Sequence, residues 1–331
     1  MRLSFTYVSR ELTRFVSSFL TRCLLWCAGP SARADVPSSD LDRRVNLPGF
    51  GSIAYRAPLP HYQGPLLVLF HGIFAGSTHR SFTEILPLLD AADARVYLVD
   101  LPGTGESASP KRTYDMALLD AFVESFLENV VAEPAVVVTE SIMGTPALKV
   151  ASTRRDLIGR VILLSPTGIH TLAEPPSAAQ TKLFNWAYGN DVFGLLFYEA
   201  LLSDPSLRYF LKRAYADPSH VTESLLDEYR SARTRLGQRW ISFAFVGGQL
   251  YRQFADVAPG VHVPVLAIFG RQAQSPAPNI APDTAANFAA IRPDFAYSVV
   301  DQAGLSVQRE QPEAVVALIL DFAKSRLAFR K

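Results

Sequence analysis

An α/β architecture is what this sequence predicts: a mostly parallel sheet with helices on both faces and a helical cap inserted over one end. Three observations point there. Short runs such as Leu66–Phe70, Val136–Val138 and Val161–Leu164 are continuously apolar and largely β-branched or Leu, as buried strands are. Longer stretches with apolar residues three and four apart alternate with them, the pattern of parallel strands joined by crossover helices. Between residues 169 and 258 the alternation stops and helical, aromatic-rich text takes over.

Composition bounds the function. The chain has 331 residues, 49% hydrophobic and 19% charged, enough apolar content for a sizeable core and too much for disorder. The net charge is +1, from 32 basic and 31 acidic residues, so there is no electrostatic case for nucleic acid. Cys23 and Cys27 lie one helical turn apart, an awkward separation for a disulfide within one helix. No Cys/His spacing of a zinc site occurs, and no metal or cofactor is expected.

Residues 1–42 read as an amphipathic helix and a linker. Phe5, Val8, Leu12, Phe15, Val16, Phe19, Leu20 and Cys23 share one helical face, and Arg10, Arg14, Ser17, Ser18 and Arg22 the other. Arg14 and Arg22 interrupt any run long enough to span a bilayer. A helix docked on protein, a membrane-surface helix and a signal peptide all remain open. Ala32-Arg33-Ala34 has the small-x-small form of a cleavage site, and Arg22 argues against one. Residues 28–40 are rich in Pro, Ser and Ala, as linkers are.

The core falls in two parts, 43–168 and 259–331, around a cap at 169–258. In the first part, strands are expected at 51–56, 66–70, 95–101, 135–140 and 161–164, with helices over 81–92, 114–131 and 142–155. In the second, strands are expected at 263–269 and 295–300, with helices over 281–290 and 312–329.

The central stretch is Ala135 to Gly144. An abrupt Ser141 separates a strand from a helix, the layout that holds a nucleophilic serine exposed on a sharp turn. An ordinary strand-to-helix turn with Ser141 as N-cap would read the same way. Met143 stands where such turns usually carry Gly, and Gly144 follows one residue late.

Four segments in order resemble the α/β-hydrolase superfamily, in the branch with an inserted cap. His71-Gly72 after a strand resembles the oxyanion loop. Asp100-Leu101-Pro102-Gly103-Thr104-Gly105-Glu106-Ser107 resembles the D-x-P-G-x-G-x-S segment. The Ser141 turn and Gln311-Pro312-Glu313-Ala314-Val315 complete the series. The resemblance implies that Ser141 is the nucleophile, with oxyanion donors at the backbone N–H groups of Ile142 and of Ile73 or Phe74, beside Gly72. It also implies an Asp after the 263–269 strand and a His after the 295–300 strand. Ala273 and Leu305 stand in those places, so the triad is degenerate. Gly103-x-Gly105 lacks the third Gly and the Lys of phosphate loops and reads as a tight turn.

A serine hydroxyl is a weak nucleophile without a base. His170, just beyond the strand ending at Ser165-Pro166, is the first candidate base and His79 the second; either also reads as a loop or surface histidine. Glu140 could act as acid or base if burial raised its pKa, or be a carboxylate of the helix's first turn. His71 reads as shaping the oxyanion turn, and His61, His220 and His262 as facing solvent or packing. The expected activity is hydrolysis of an ester or related acyl bond in an apolar small molecule through Ser141 with a non-standard base. The alternatives are a non-hydrolytic lyase or cyclase and a silent small-molecule binder. The expected partners are a small apolar ligand and, through residues 3–27, a membrane surface.

Overall fold

The computed structural model describes residues 40–169, 177–179, 181–182, 186, 190–273 and 281–325, without the side chains of 281–283. The expected N-terminal helix at 3–27, both cysteines, His170 and residues 326–329 of the expected last helix lie outside the described residues.

Eight strands form one sheet: β1 (Arg43–Leu47), β2 (Gly51–Arg56), β3 (Leu66–Phe70), β4 (Arg95–Val99), β5 (Ala135–Glu140), β6 (Ile158–Leu164), β7 (Val265–Gly270) and β8 (Ala296–Val300). Their spatial order is β1-β2-β4-β3-β5-β6-β7-β8. β1–β2 and β2–β4 are antiparallel, and every pair from β4 to β8 is parallel. Strands β3 and β7 are buried along their whole length because helices cover both faces, which is why their sequences do not alternate.

On one face, α2 (Met116–Phe126) and α3 (Gly144–Thr153) build the larger core. Its aromatic centre sets Phe122 at 5.4 Å from Phe50 and 6.1 Å from Phe70, edge to face. On the other face, α1 (Leu86–Ala91) and α11 (Pro312–Lys324) bury Leu89, Val315 and Ile319 with Leu67, Leu69 and Val138. Each such side chain contributes about 1.5–3 kcal/mol on burial. The remaining core helices are α9 (Ala281–Ile291) and α10 (Val307–Glu310).

Several elements differ from their sequence expectation. β1 was not foreseen, because its exposed Arg43 and Arg44 suit a sheet edge and give no apolar alternation. The helix expected over 81–92 is a 3-10 turn at His79–Phe82 followed by α1, which restarts with Pro87 in its first turn. Helix α2 starts at Met116, where the Asp115 side chain accepts the Leu118 N–H at 2.8 Å, and runs on into a π-helical turn, Leu127–Val131. The helix expected over 142–155 is a 3-10 turn, Ser141–Met143, leading into α3.

Chain direction reverses across β3. The chain goes from β3 to β4 on one side and then crosses to β5 on the other, which opens a crevice at the carboxyl ends of β3 and β5. Helices α4 (Asp191–Leu201), α5 (Asp204–Ala214), α6 (Glu223–Arg230), α7 (Arg239–Val246) and α8 (Phe254–Val257) lie between β6 and β7 in the chain. Polar contacts join this layer to the core. The Glu310 carboxylate accepts the N–H groups of Ala216 at 2.8 Å, Asp217 at 3.2 Å and Gly304 at 2.6 Å. Arg309 pairs with Glu228 of α6 at 2.7 Å and with Glu84 at 3.4 Å. Arg252 holds Asp120 of α2 through two bonds of 2.7 and 2.8 Å. No helix among the described residues is long and apolar enough to cross a membrane.

The turns after β7 and β8 touch. A Cβ on Gly270 would run into the Gly304 carbonyl oxygen and lie 2.5 Å from that of Ala303, a clash with backbone that only a shift of the turns could relieve. Gly270→Ala is expected to cost about 1–3 kcal/mol by overpacking, read as a lower urea midpoint at unchanged slope. An unchanged midpoint would mean that the two turns separate freely.

Candidate functional site

Phe70 of β3 pairs with Thr139 of β5, so the residues following both strands emerge side by side. Ser141 leaves β5 with φ at +54°, the left-handed region. For a residue with a side chain this costs roughly 1–2 kcal/mol. The half-buried Ser141 hydroxyl makes no hydrogen bond to any described residue. The N-cap of the 3-10 turn is Glu140, and that of α3 is Met143; neither gives a side-chain capping bond. The serine therefore forms an elbow and caps nothing. Gly144 lets the first turn of α3 approach β6, where a Cβ would meet Leu163 at 3.2 Å, and the expected departure at Met143 is absorbed by full burial in the core.

Glu140 holds the elbow in place. Its Oε2 accepts the Gly72 N–H at 2.8 Å, and its Oε1 accepts the Gln308 amide at 2.9 Å. That amide also reaches the Ser81 carbonyl at 3.3 Å. With both oxygens engaged, Glu140 is a positioning group between the ends of β3 and β5 and helix α10. Gln308 went unnoticed in the sequence; lying three residues past Leu305 carries no meaning until the chain is folded.

The turn after β3 is fixed in the same way. The Gly72 N–H goes to Glu140, and the Phe74 N–H goes to Ser77 Oγ at 2.6 Å. The Ile73 N–H is taken by no described residue. Ile142 is the second residue of the 3-10 turn that Ser141 begins, and an N–H there has no partner within the turn. Neither the Ile73 nor the Ile142 N–H, close to Ser141, has a partner among the described residues.

His71 is fully buried, with Nδ1 at 2.6 Å from the Gly72 carbonyl and Nε2 accepting the Leu101 N–H at 3.3 Å. That network places the proton on Nδ1. Burial lowers the ring's pKa against the pull of Asp100, so His71 braces the turn as a neutral group. His79 is also buried. Its Nδ1 and its own backbone N–H both meet Asp100 Oδ1 at 2.9 Å, and its Nε2 has no partner. Burial alone would raise the Asp100 pKa. The hydrogen bond from the His79 ring, the favourable electrostatics of that pairing and the Glu106 N–H outweigh it and hold Asp100 at about 2. No hydrogen bond joins His79 to Ser141. His61, His220 and His262 are exposed, and His220 also stacks on Tyr215 at 5.9 Å.

Ala273 and Leu305 follow β7 and β8 on neighbouring turns, joined by the Gln272 N–H to the Ala303 carbonyl at 2.9 Å. Ala273 is buried, and Leu305 packs against the larger core with its N–H on the Ala214 carbonyl at 2.6 Å. At the turn after β3, the Phe74 ring meets Phe210 of α5 at 5.7 Å, Tyr229 of α6 at 6.3 Å and Phe245 of α7 at 6.2 Å. Burial pushes the Tyr229 hydroxyl far above its ordinary pKa, so it stays protonated. Among the described residues, no three His, Cys, Asp or Glu side chains are grouped to hold a metal ion.

A model described as "Alpha/beta hydrolase family" matches residues 67–318. The chain is 26% identical over 265 residues to the dihydrolipoyllysine-residue acetyltransferase component of the acetoin cleaving system of Pseudomonas putida, covering 79% of this chain. It spans only 64% of that relative's length. It is also 26% identical over 273 residues to the uncharacterized hydrolase YugF of Bacillus subtilis strain 168, covering 80% of this chain and 93% of that protein. Among solved structures, a thermophilic esterase from Thermogutta terrifontis superposes with a TM-score of 0.65 at 17% identity, over 85% of this chain and 98% of that one. That likeness shows the fold.

Two predictions follow from the geometry. A carboxylate held near 2 contributes stability above its unfolded value of 3.8 and loses it as the pH falls through 2. The contribution is on the order of 2 kcal/mol. The deficit of Asp100→Asn in urea unfolding should therefore be present at pH 6 and shrink between pH 4 and 2; a deficit independent of pH would contradict the pairing. At Ser141, glycine relieves about 1–2 kcal/mol of strain but adds about 0.5–1 kcal/mol of backbone entropy. Ser141→Gly should thus be slightly more stable than wild type, and Ser141→Ala should not.

Proposed function

Because the chain belongs to the α/β-hydrolase family, we propose that it hydrolyses an ester or related acyl bond of an apolar small molecule, with Ser141 as nucleophile and a base outside the standard position. The observation that carries this reading is a strained, unengaged serine beside two unengaged N–H groups, at Ile73 and Ile142. Strain of this kind persists where the surroundings over-determine it, and it concentrates at functional sites.

In this reading Ser141 Oγ attacks the acyl carbon and its proton passes to the base. The carbonyl oxygen becomes an oxyanion and takes the Ile73 and Ile142 N–H groups, which are worth most where charge develops. Collapse expels the alcohol with the proton returned from the base, and water then cleaves the acyl-enzyme by the same route. The wall of Phe74, Phe210, Tyr229 and Phe245 suits an apolar substrate.

The base we propose is His170. The Thr167 N–H donates to the Ser141 carbonyl at 3.4 Å, and Ile169 packs against the core that holds Ile142. The chain thus passes the elbow immediately before His170. A second reading, a binding pocket without turnover, is favoured by one observation: the buried Ala273 and the core-packed Leu305 where an acid and a base would stand.

Labelling with a fluorophosphonate probe tests the proposal. Wild-type protein should label and Ser141→Ala should not. His170→Ala should lower the labelling rate by roughly 10²–10⁴-fold, whereas His79→Ala should retain labelling in whatever fraction stays folded. Folded wild-type protein that fails to label would overturn the hydrolase reading in favour of the binder.

A further inference from the structure

We propose that the helical layer sets the conformation of the Ser141 elbow through Arg309, a positioning residue that acts on the Glu140 clamp. The coupling concerns the shape of the turn and stands whether or not Ser141 turns over a substrate.

Three consecutive residues of α10 take three different partners. Gln308 donates to Glu140 Oε1 at 2.9 Å. Arg309, whose side chain is 8% exposed, donates to Glu228 of α6 at 2.7 Å, to Glu84 at 3.4 Å and to the Arg80 carbonyl. Glu310 accepts the N–H groups of Ala216 and Asp217, just past α5. One short helix thus holds both the elbow carboxylate and two segments of the helical layer.

The same layer meets the elbow's surroundings a second time, at the turn after β3. Tyr229 directly follows Glu228, and its ring lies 6.3 Å from that of Phe74. Its backbone packs on Gly76, where a Cβ would meet the Tyr229 carbonyl oxygen at 2.9 Å. Gly76 has φ at +87°, a conformation that only glycine adopts without strain. The last turn of α6 therefore bridges α10 and the turn after β3.

Glu140 bridges the same two elements from below, with Oε2 on the Gly72 N–H and Oε1 on Gln308. The contacts close into a circuit. It runs from Glu140 to Gly72, along the turn to Phe74 and Gly76, across to Tyr229 and Glu228, then through Arg309 and Gln308 back to Glu140. Contiguous packed and hydrogen-bonded groups of this kind carry coupling between distant positions. Arg309 is the link on which the circuit turns. Removing the Glu228 charge leaves a buried cation short of a partner, and the shift of α10 that re-pairs it draws Gln308 away from Glu140.

Exchange of the Gly72 N–H reads the clamp, because its acceptor is Glu140. The Ser165 N–H, which donates to the Ile268 carbonyl at 2.9 Å, serves as the reference for general loosening. Hydrogen exchange is followed for each amide by NMR on the full chain. Glu228→Gln should speed Gly72 exchange by roughly tenfold or more and leave Ser165 within about twofold of wild type. Gln308→Met should speed Gly72 exchange to a similar degree. In that background Glu228→Gln should add less than about twofold, since both act on one path. Arg309→Lys keeps the charge without the planar fork, and its Gly72 rate should lie between those of wild type and Arg309→Met. Where Arg309→Met does not fold, the Glu228 and Gln308 variants decide.

Unchanged Gly72 exchange in Glu228→Gln would overturn the proposal. So would Gly72 and Ser165 speeding up together, which is general loosening. Effects of Glu228→Gln and Gln308→Met that multiply would overturn it too, because they would place the two residues on separate paths.

Discussion

The Glu140 carboxylate is the contact on which the site depends. Through Gly72 it ties the end of β5 to the end of β3, and through Gln308 it reaches the first turn of α10. Hydrogen bonds to a charged group are worth about 1.5–3 kcal/mol each. Two of them exceed the roughly 1–2 kcal/mol by which a left-handed serine is strained. The clamp is thus strong enough to keep Ser141 in its unfavourable conformation. It also consumes the Gly72 N–H, whereas the Ile73 N–H has no partner among the described residues.

Ala273 and Leu305, where the family resemblance leads one to expect an acid and a histidine, are apolar and packed. A buried charged or polar group deprived of its partner costs more than the pair contributed. Replacing both members by apolar residues avoids that penalty. Here Ala273 is buried and Leu305 packs into the larger core, with its backbone held by the Ala214 carbonyl. The turn that carries Leu305 is further fixed to the helical layer by Glu310, which binds Gly304, Ala216 and Asp217 together.

The buried parallel strands were legible because burial on both faces writes a continuous apolar run. Edge strand β1 was not, since its exposed Arg43 and Arg44 leave no apolar alternation to read. Ser141 was ambiguous for a different reason: an elbow and an N-cap both place a serine after a strand, and only the sign of φ separates them. Glu140 looked like an acid or base because its neighbour in sequence is the serine. Its real partner, Gln308, lies 168 residues away, and no local pattern encodes that contact. His79 read as a loop histidine for the same reason, with Asp100 21 residues on in another strand's turn.

His79 has the look of a catalytic base, with one ring nitrogen on a buried carboxylate and the other unpartnered. Its surroundings argue otherwise. Asp100 Oδ1 takes both the His79 ring and the His79 backbone N–H, and Oδ2 takes the Glu106 N–H. The ring is therefore fixed to the turn after β4 by the same atoms that satisfy the carboxylate. Swinging it toward Ser141 would strip a fully buried Asp of its strongest partner, a loss of several kcal/mol for a charge that burial already disfavours. The Thr167 N–H donates to the Ser141 carbonyl, so the chain after β6 runs past the elbow, and the base we propose at His170 would leave the His79–Asp100 pairing intact.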